Sequence, residues 1–119
     1  MALEIADKRL SGSIHHTWDA LSANGSTGHI SVLAPDSKPC EKFTVVTAVT
    51  GSPTDADVDL EGSIDGTVWF SLSGVITAHS AGTMTHVINR PVWYVRATLT
   101  NLAGGTTPTI TVSVVAKTD

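Results

Sequence analysis

From Phe43 onward the chain alternates apolar and polar residues with a period of two, and that period belongs to a pleated strand with one buried face. "KFTVVTAVTG" sets Phe43, Val45, Thr47 and Val49 on one side. "ADVDLEGS" sets Val58, Leu60, Gly62 and Ile64 against Asp57, Asp59, Glu61 and Ser63. "VWYVRATLTNL" sets Trp93, Val95, Ala97 and Leu99 against Tyr94, Arg96, Thr98 and Thr100. "TITVSVVAK" repeats the pattern with Ile110, Val112, Val114 and Ala116. "TVWFSLSG" and "THVIN" read as shorter strands rich in β-branched and aromatic residues.

Turn formers fill the intervals: "TGSPTDA", "SIDG", "HSAGTM" and "NLAGGTTP". Short strands separated by such punctuation predict an all-β fold, a single antiparallel β-sandwich of Ig-like or jelly-roll-like type. The N-terminal third is less regular. "SIHHTWDAL" predicts a first strand, "SANGSTGH" a turn, and "HISVLAPDSKP" a strand ending at Pro35, while residues 2–10 predict a turn of helix or an extended arm. With 119 residues there is room for one core. The expected organisation is one domain over 1–119: an irregular N-terminal arm and first strands over 1–40, and the sandwich core over 41–119.

Composition narrows the partners. Seven Lys and Arg against eleven Asp and Glu give a net charge of −4, so attraction to a phosphate backbone is not the main source of binding energy and no nucleic acid partner is expected. Only 15% of residues are charged, against about 25% in typical soluble proteins. Charge-poor surfaces suit assemblies, whose interface centres are depleted of charge. "MALEIADKRL" carries acids and bases where a signal peptide needs an apolar run, and no segment approaches the roughly 18 apolar residues of a membrane span. A soluble protein made in a cytoplasm, with no membrane partner, is expected. Cys40 is the sole cysteine, which excludes an internal disulfide and reads as a small half-buried residue.

The run "TDADVDLEGSIDGTVW" holds Asp55, Asp57, Asp59 and Glu61 at alternate positions, a spacing shared with the first oxygens of a calcium loop. A helix-loop-helix calcium site needs glycine at its sixth position and glutamate at its twelfth. Counted from Asp55, those positions are Leu60 and Gly66. Both fail, and the acids read instead as the wet face of a strand, with Gly62, Asp65, Gly66 and Trp69 marking the hairpin that follows. Of the five histidines, His15 and His16 are adjacent and face opposite sides of a strand, and none pairs with cysteines at zinc spacing. No Gly-x-Ser-x-Gly nucleophile elbow is present, and "NLAGGTTP" lacks the lysine of a phosphate loop. No catalytic residue, metal ligand or cofactor is therefore assigned, and the chain is expected not to be an enzyme.

The aromatics leave one more function class. Exposed aromatic rings on a sandwich stack on sugars, and Trp18 and Phe70 are the candidates for such contacts. Trp69 and Trp93 are read as anchors of the core.

Taken together, "VDLEGSIDGTVWFSL", "RPVWYVRATLTNLAGG" and "PTITVSVVAK" resemble the small β-sandwich virion proteins of tailed bacteriophages, the capsid decoration (head-stabilising) proteins and related head or tail accessory proteins. The resemblance covers roughly Phe43 to Lys117. The "GSIDGTVW" element also looks like the hairpin turn of discoidin-like carbohydrate- and lipid-binding domains. What the virion resemblance implies is binding to the outer surface of a capsid, with the major capsid protein lattice as partner and a homotrimer as the usual form, stabilising the shell. The implied localisation is the virion. The alternative is a carbohydrate-binding sandwich module of a tail or an extracellular protein. No contact residue carries over, because the shared motif is an element of the fold.

Overall fold

A computed structural model describes the backbone of residues 3–4 and 8–10 and the residues 13–33, 38–79 and 82–118. Among the described residues the chain is all-β, with twelve strands in two sheets. One sheet runs in the order β1 (Leu3–Glu4), β5 (His29–Ser31), β11 (Tyr94–Ala103), β7 (Asp55–Ser63), β8 (Phe70–Ser71). The short β4 (Gly25–Ser26) also pairs with β11, and β9 (Ile76–Thr77) with β7. The other runs β10 (Thr83–Val87), β6 (Lys42–Thr50), β12 (Thr109–Lys117), β3 (Ser13–Leu21), β2 (Lys8–Leu10). All pairs are antiparallel except β1 with β5.

The two-residue period does the work of placing the core. Val45 on β6, Val112 and Val114 on β12, and Ile14 and Trp18 on β3 are buried from one sheet. Val58 and Leu60 on β7, Val95, Ala97 and Leu99 on β11, and Ile30 on β5 are buried from the other. The two inner faces meet as in a sandwich. Among the described residues there is no helix long and apolar enough to cross a membrane.

The N-terminal third contributes more than an arm. Ser13–Leu21 is a nine-residue strand that lies between β12 and β2, and its inward residues Ile14, His16 and Trp18 are all buried. Strand β1 pairs with β5 and β2 with β3, so the N-terminal segments join the chain's own sheets. The strand expected up to Pro35 is seen as His29–Ser31, followed by a bridge from Leu33 to Pro39. Pro35 itself, residues 2 and 5–7 of the expected arm, and Ser80 and Ala81 of the "HSAGTM" turn lie outside the described residues.

Several expectations are corrected. Trp18 is only 5% exposed, and its indole N–H donates to the Gly28 carbonyl at 3.0 Å. It is a core residue, because Trp18 falls on the same inward parity of β3 as Ile14 and His16, so it offers no exposed face to a sugar. Ile64, which the alternation predicts on the inward side of β7, is 63% exposed. The strand ends at Ser63, whose side chain is buried in the turn, and the alternation stops one residue early. Trp69 and Trp93 are half-buried rather than core anchors, since both lie outside the regular ladders. Cys40 is fully buried.

Candidate contact site

The motif residues converge on the loop between β7 and β8. The ladder Glu61↔Ser71 and Gly62↔Phe70 closes it, so residues 64–69 form a loop longer than a two-residue hairpin turn. Five side-chain hydrogen bonds fix its path. The Ser63 hydroxyl donates to Asp65 Oδ1 at 3.0 Å and accepts the backbone N–H groups of Asp65 (3.2 Å) and Gly66 (2.8 Å). Asp65 Oδ1 accepts the N–H groups of Thr67 (2.8 Å) and Val68 (2.9 Å). Ser and Asp side chains thus take the place of backbone partners that a ladder would have supplied. These N–H donors hold the Asp65 carboxyl below its ordinary pKa, Val68 and Thr67 contributing most. Gly66 has φ +80°, a left-handed conformation that explains glycine there.

Gly62 is a glycine for a different reason. A Cβ at this position would lie 2.8 Å from Leu72 Cδ1 and 2.9 Å from Val92 Cγ1. It is the packing of the loop base on the core, not a turn conformation, that excludes a side chain.

Trp69 folds back onto the outer face of the sheet. The guanidinium of Arg96 lies over its ring at 4.3 Å from the centroid, and His29 sits 5.5 Å away, tilted. His29 in turn meets Tyr94 edge-on at 5.4 Å. Arg96 Nε donates to Glu61 Oε1 at 2.8 Å, and the Thr98 hydroxyl donates to the same oxygen at 2.7 Å. The loop is therefore secured twice, by Ser63 and Asp65 at its start and by Trp69 at its end.

What the loop presents is apolar. Ile64 is 63%, Val68 66% and Phe70 43% exposed, and Val75 in the next turn is also exposed. Apolar side chains clustered on one secured loop are suited to filling pockets on a partner, because little conformational freedom is left to lose on binding. Of the expected site residues, the structure thus gathers Asp65, Gly66 and Trp69 into this loop, places Gly62 and Phe70 as the strand pair that closes it, and leaves Trp18 in the core. Sequence reasoning missed Ile64 and Val68 as surface residues, and it missed the cluster of His29, Tyr94 and Arg96 beneath Trp69, which is assembled from strands distant in sequence.

The acids do not form an ion site with one another. Asp57 Oδ2 accepts the Asn101 side-chain amide at 2.8 Å, Asp59 Oδ1 accepts the Ser71 and Ser73 hydroxyls, and Glu61 is held by Arg96 and Thr98. Burial raises the Asp59 pKa, opposed by those two hydroxyls, with the Glu61 charge adding to the rise. Among the described residues no three His, Cys, Asp or Glu side chains are grouped to hold a metal ion.

Neither a known family nor a curated protein matches the chain at the level of sequence. Solved structures do match in shape. The SPBc2 prophage-derived protein YomS superposes with a TM-score of 0.55 at 11% identity, covering 92% of this chain and 98% of that one. A chain in the acid-stable capsid structure of the Helicobacter pylori bacteriophage KHP30 gives 0.55 at 13% identity, over 90% and 88%. The sugar-binding C-terminal domain of EclA gives 0.50 at 11% identity, over 91% and 83%. At these identities the likeness is one of fold, and that fold occurs in phage-derived proteins and in a sugar-binding domain alike.

Proposed function

We propose that this chain is a structural protein of a bacteriophage virion, which binds the outer surface of the capsid as a homotrimer and stabilises the shell. The observation that carries the reading is the secured loop that holds Ile64, Val68 and Phe70 in water. An isolated protein gains nothing by exposing them, whereas a protein seated on a shell buries them in its partner. The charge-poor surface and the fold shared with a phage capsid chain point the same way. Symmetric self-association is the usual way for a small protein to match a symmetric lattice. The role is one of binding rather than catalysis.

The test is addition of the purified chain to expanded capsids that lack it, with cryo-electron microscopy of the particles and light scattering of the free protein. Density on the outer surface and a trimeric mass are expected. The variant Ile64→Asp/Val68→Asp should remain folded and leave the capsids bare. A monomer that ignores such capsids overturns the reading.

The sugar-binding alternative retains Phe70 as a platform and the likeness to the EclA domain. It has lost Trp18 to the core, and Trp69 has one ring face covered by Arg96.

A further inference from the structure

The sheet face opposite the loop carries a second feature. On the outer side of the five-stranded sheet, Lys42, Thr44, His86, Ile88, Val115 and Lys117 line an open concavity of about 340 Å³. The register places Lys117 directly across from Lys42. Like charges at directly opposed positions destabilise a strand pair, and among the described residues neither lysine has a carboxylate partner. In a chain of net charge −4, two cations set side by side in a hollow are a local conflict with no structural return.

We propose that this concavity binds carboxylates carried on aliphatic stems, as presented by an acidic segment of a protein partner; the capsid reading above supplies only where that segment comes from. The next row of the sheet supports the choice. His86 pairs with Thr44, and Thr44 with Val115. The Thr44 hydroxyl lies 3.0 Å from His86 Nδ1. With that hydroxyl donating to Nδ1, the imidazole proton resides on Nε2 and is a further donor for an anion. Val115 and Ile88 are exposed, so the walls beside the ammonium groups are aliphatic. A free phosphate gains nothing from such walls. A glutamate or aspartate flanked by leucines places its carboxylate on the lysines and its neighbours on Val115 and Ile88, and lysines act as point charges for either oxygen.

The experiment is an amide-resonance titration of the 15N-labelled full chain with the blocked peptide Ac-Leu-Glu-Leu-Glu-NH2, with its glutamine counterpart, and with inorganic phosphate. The glutamate peptide is expected to move the signals of Lys42, Thr44, His86 and Lys117, and raised salt should weaken it. Lys42→Gln/Lys117→Gln should weaken binding about tenfold or more, while the dispersion of the spectrum reports that the variant is folded. Equal binding of the glutamine peptide, equal binding of phosphate, unchanged affinity in the variant, or shifts elsewhere on the chain each overturn the proposal. Because the titration contains no capsid, failure to bind shells leaves its outcome unaffected, and the two readings fail separately.

Discussion

Arg96 lies over the Trp69 ring, 4.3 Å from its centroid, while its Nε is bonded to Glu61 at 2.8 Å. The ring closes the end of the contact loop and the guanidinium belongs to the central strand β11, so this pair ties the loop to the middle of its sheet.

The first prediction is that Trp69 and Arg96 are energetically coupled. Trp69→Ala and Arg96→Ala should each lower the midpoint of urea unfolding, and the double variant should fall short of their sum by about 0.5–1 kcal/mol, the usual worth of a cation over an aromatic ring at a partly exposed site. Strict additivity would show that the two groups are neighbours without interaction. Arg96→Ala should cost more than Trp69→Ala, because it also leaves the Glu61 carboxylate, mostly buried, with Thr98 alone.

The second concerns acid. The pKa of Asp65 is lowered in the folded chain by the N–H groups of Val68 and Thr67. Its stabilisation is therefore complete above the ordinary aspartate value, about 3.9, and is lost as pH falls through the lower folded value. The pKa of Asp59 is raised, first by burial, so the sign reverses: its cost is present at neutral pH and is relieved as pH falls through that raised value. On acidification the Asp59 carboxyl should titrate first, and the Thr67 and Val68 amide resonances should move only later, together with Asp65. A common midpoint for both carboxyls would refute the assignment of Asp65 as the anchor of the loop.

The third is that Gly62→Ala destabilises although alanine is the better residue for a strand interior. The added methyl meets Leu72 and Val92 closer than van der Waals contact allows, and overpacking of this kind costs about 1–3 kcal/mol. Trimming the neighbour should return part of that loss, so Gly62→Ala/Leu72→Ala is expected to be less destabilised than the sum of the single changes. Simple additivity would place the cause elsewhere.

The sandwich was legible because its strands alternate strictly: Val58 and Leu60 go inward and Asp57 and Asp59 outward, as their parity demands. The hairpin was legible from Asp65 and Gly66, whose turn chemistry is local. The rest depended on tertiary contacts that no local pattern encodes. Gly62 carries the same letter as Gly66, yet one is set by a neighbouring side chain and the other by φ. Ile64 continues the alternation in sequence, but Ser63 had already turned its hydroxyl to the loop, which ends the strand. Arg96 and His29 come to Trp69 only through the pairing of β11 with β7 and β5, and that order of strands is not written in the spacing of residues.

Trp18 gives the last prediction, since it is the aromatic that moves from an expected exposed contact to the core. In the sequence, "SIHHTWDAL" reads as a first strand and Trp18 as a candidate platform for a sugar. The structure buries the ring against His16, edge-on at 5.0 Å, with its N–H bonded to Gly28. Trp18→Ala should accordingly cost about 3–5 kcal/mol, while Trp18→Phe keeps most of the buried area, leaves the Gly28 carbonyl with the Thr27 hydroxyl as its donor, and should cost about 1 kcal/mol. Intrinsic fluorescence offers a second measure: the Trp18 emission should be blue-shifted and shielded from iodide in the folded chain. If Trp18→Ala instead left stability unchanged while abolishing binding to an immobilised glycan, the ring would be a surface platform and the burial of β3 would be wrong.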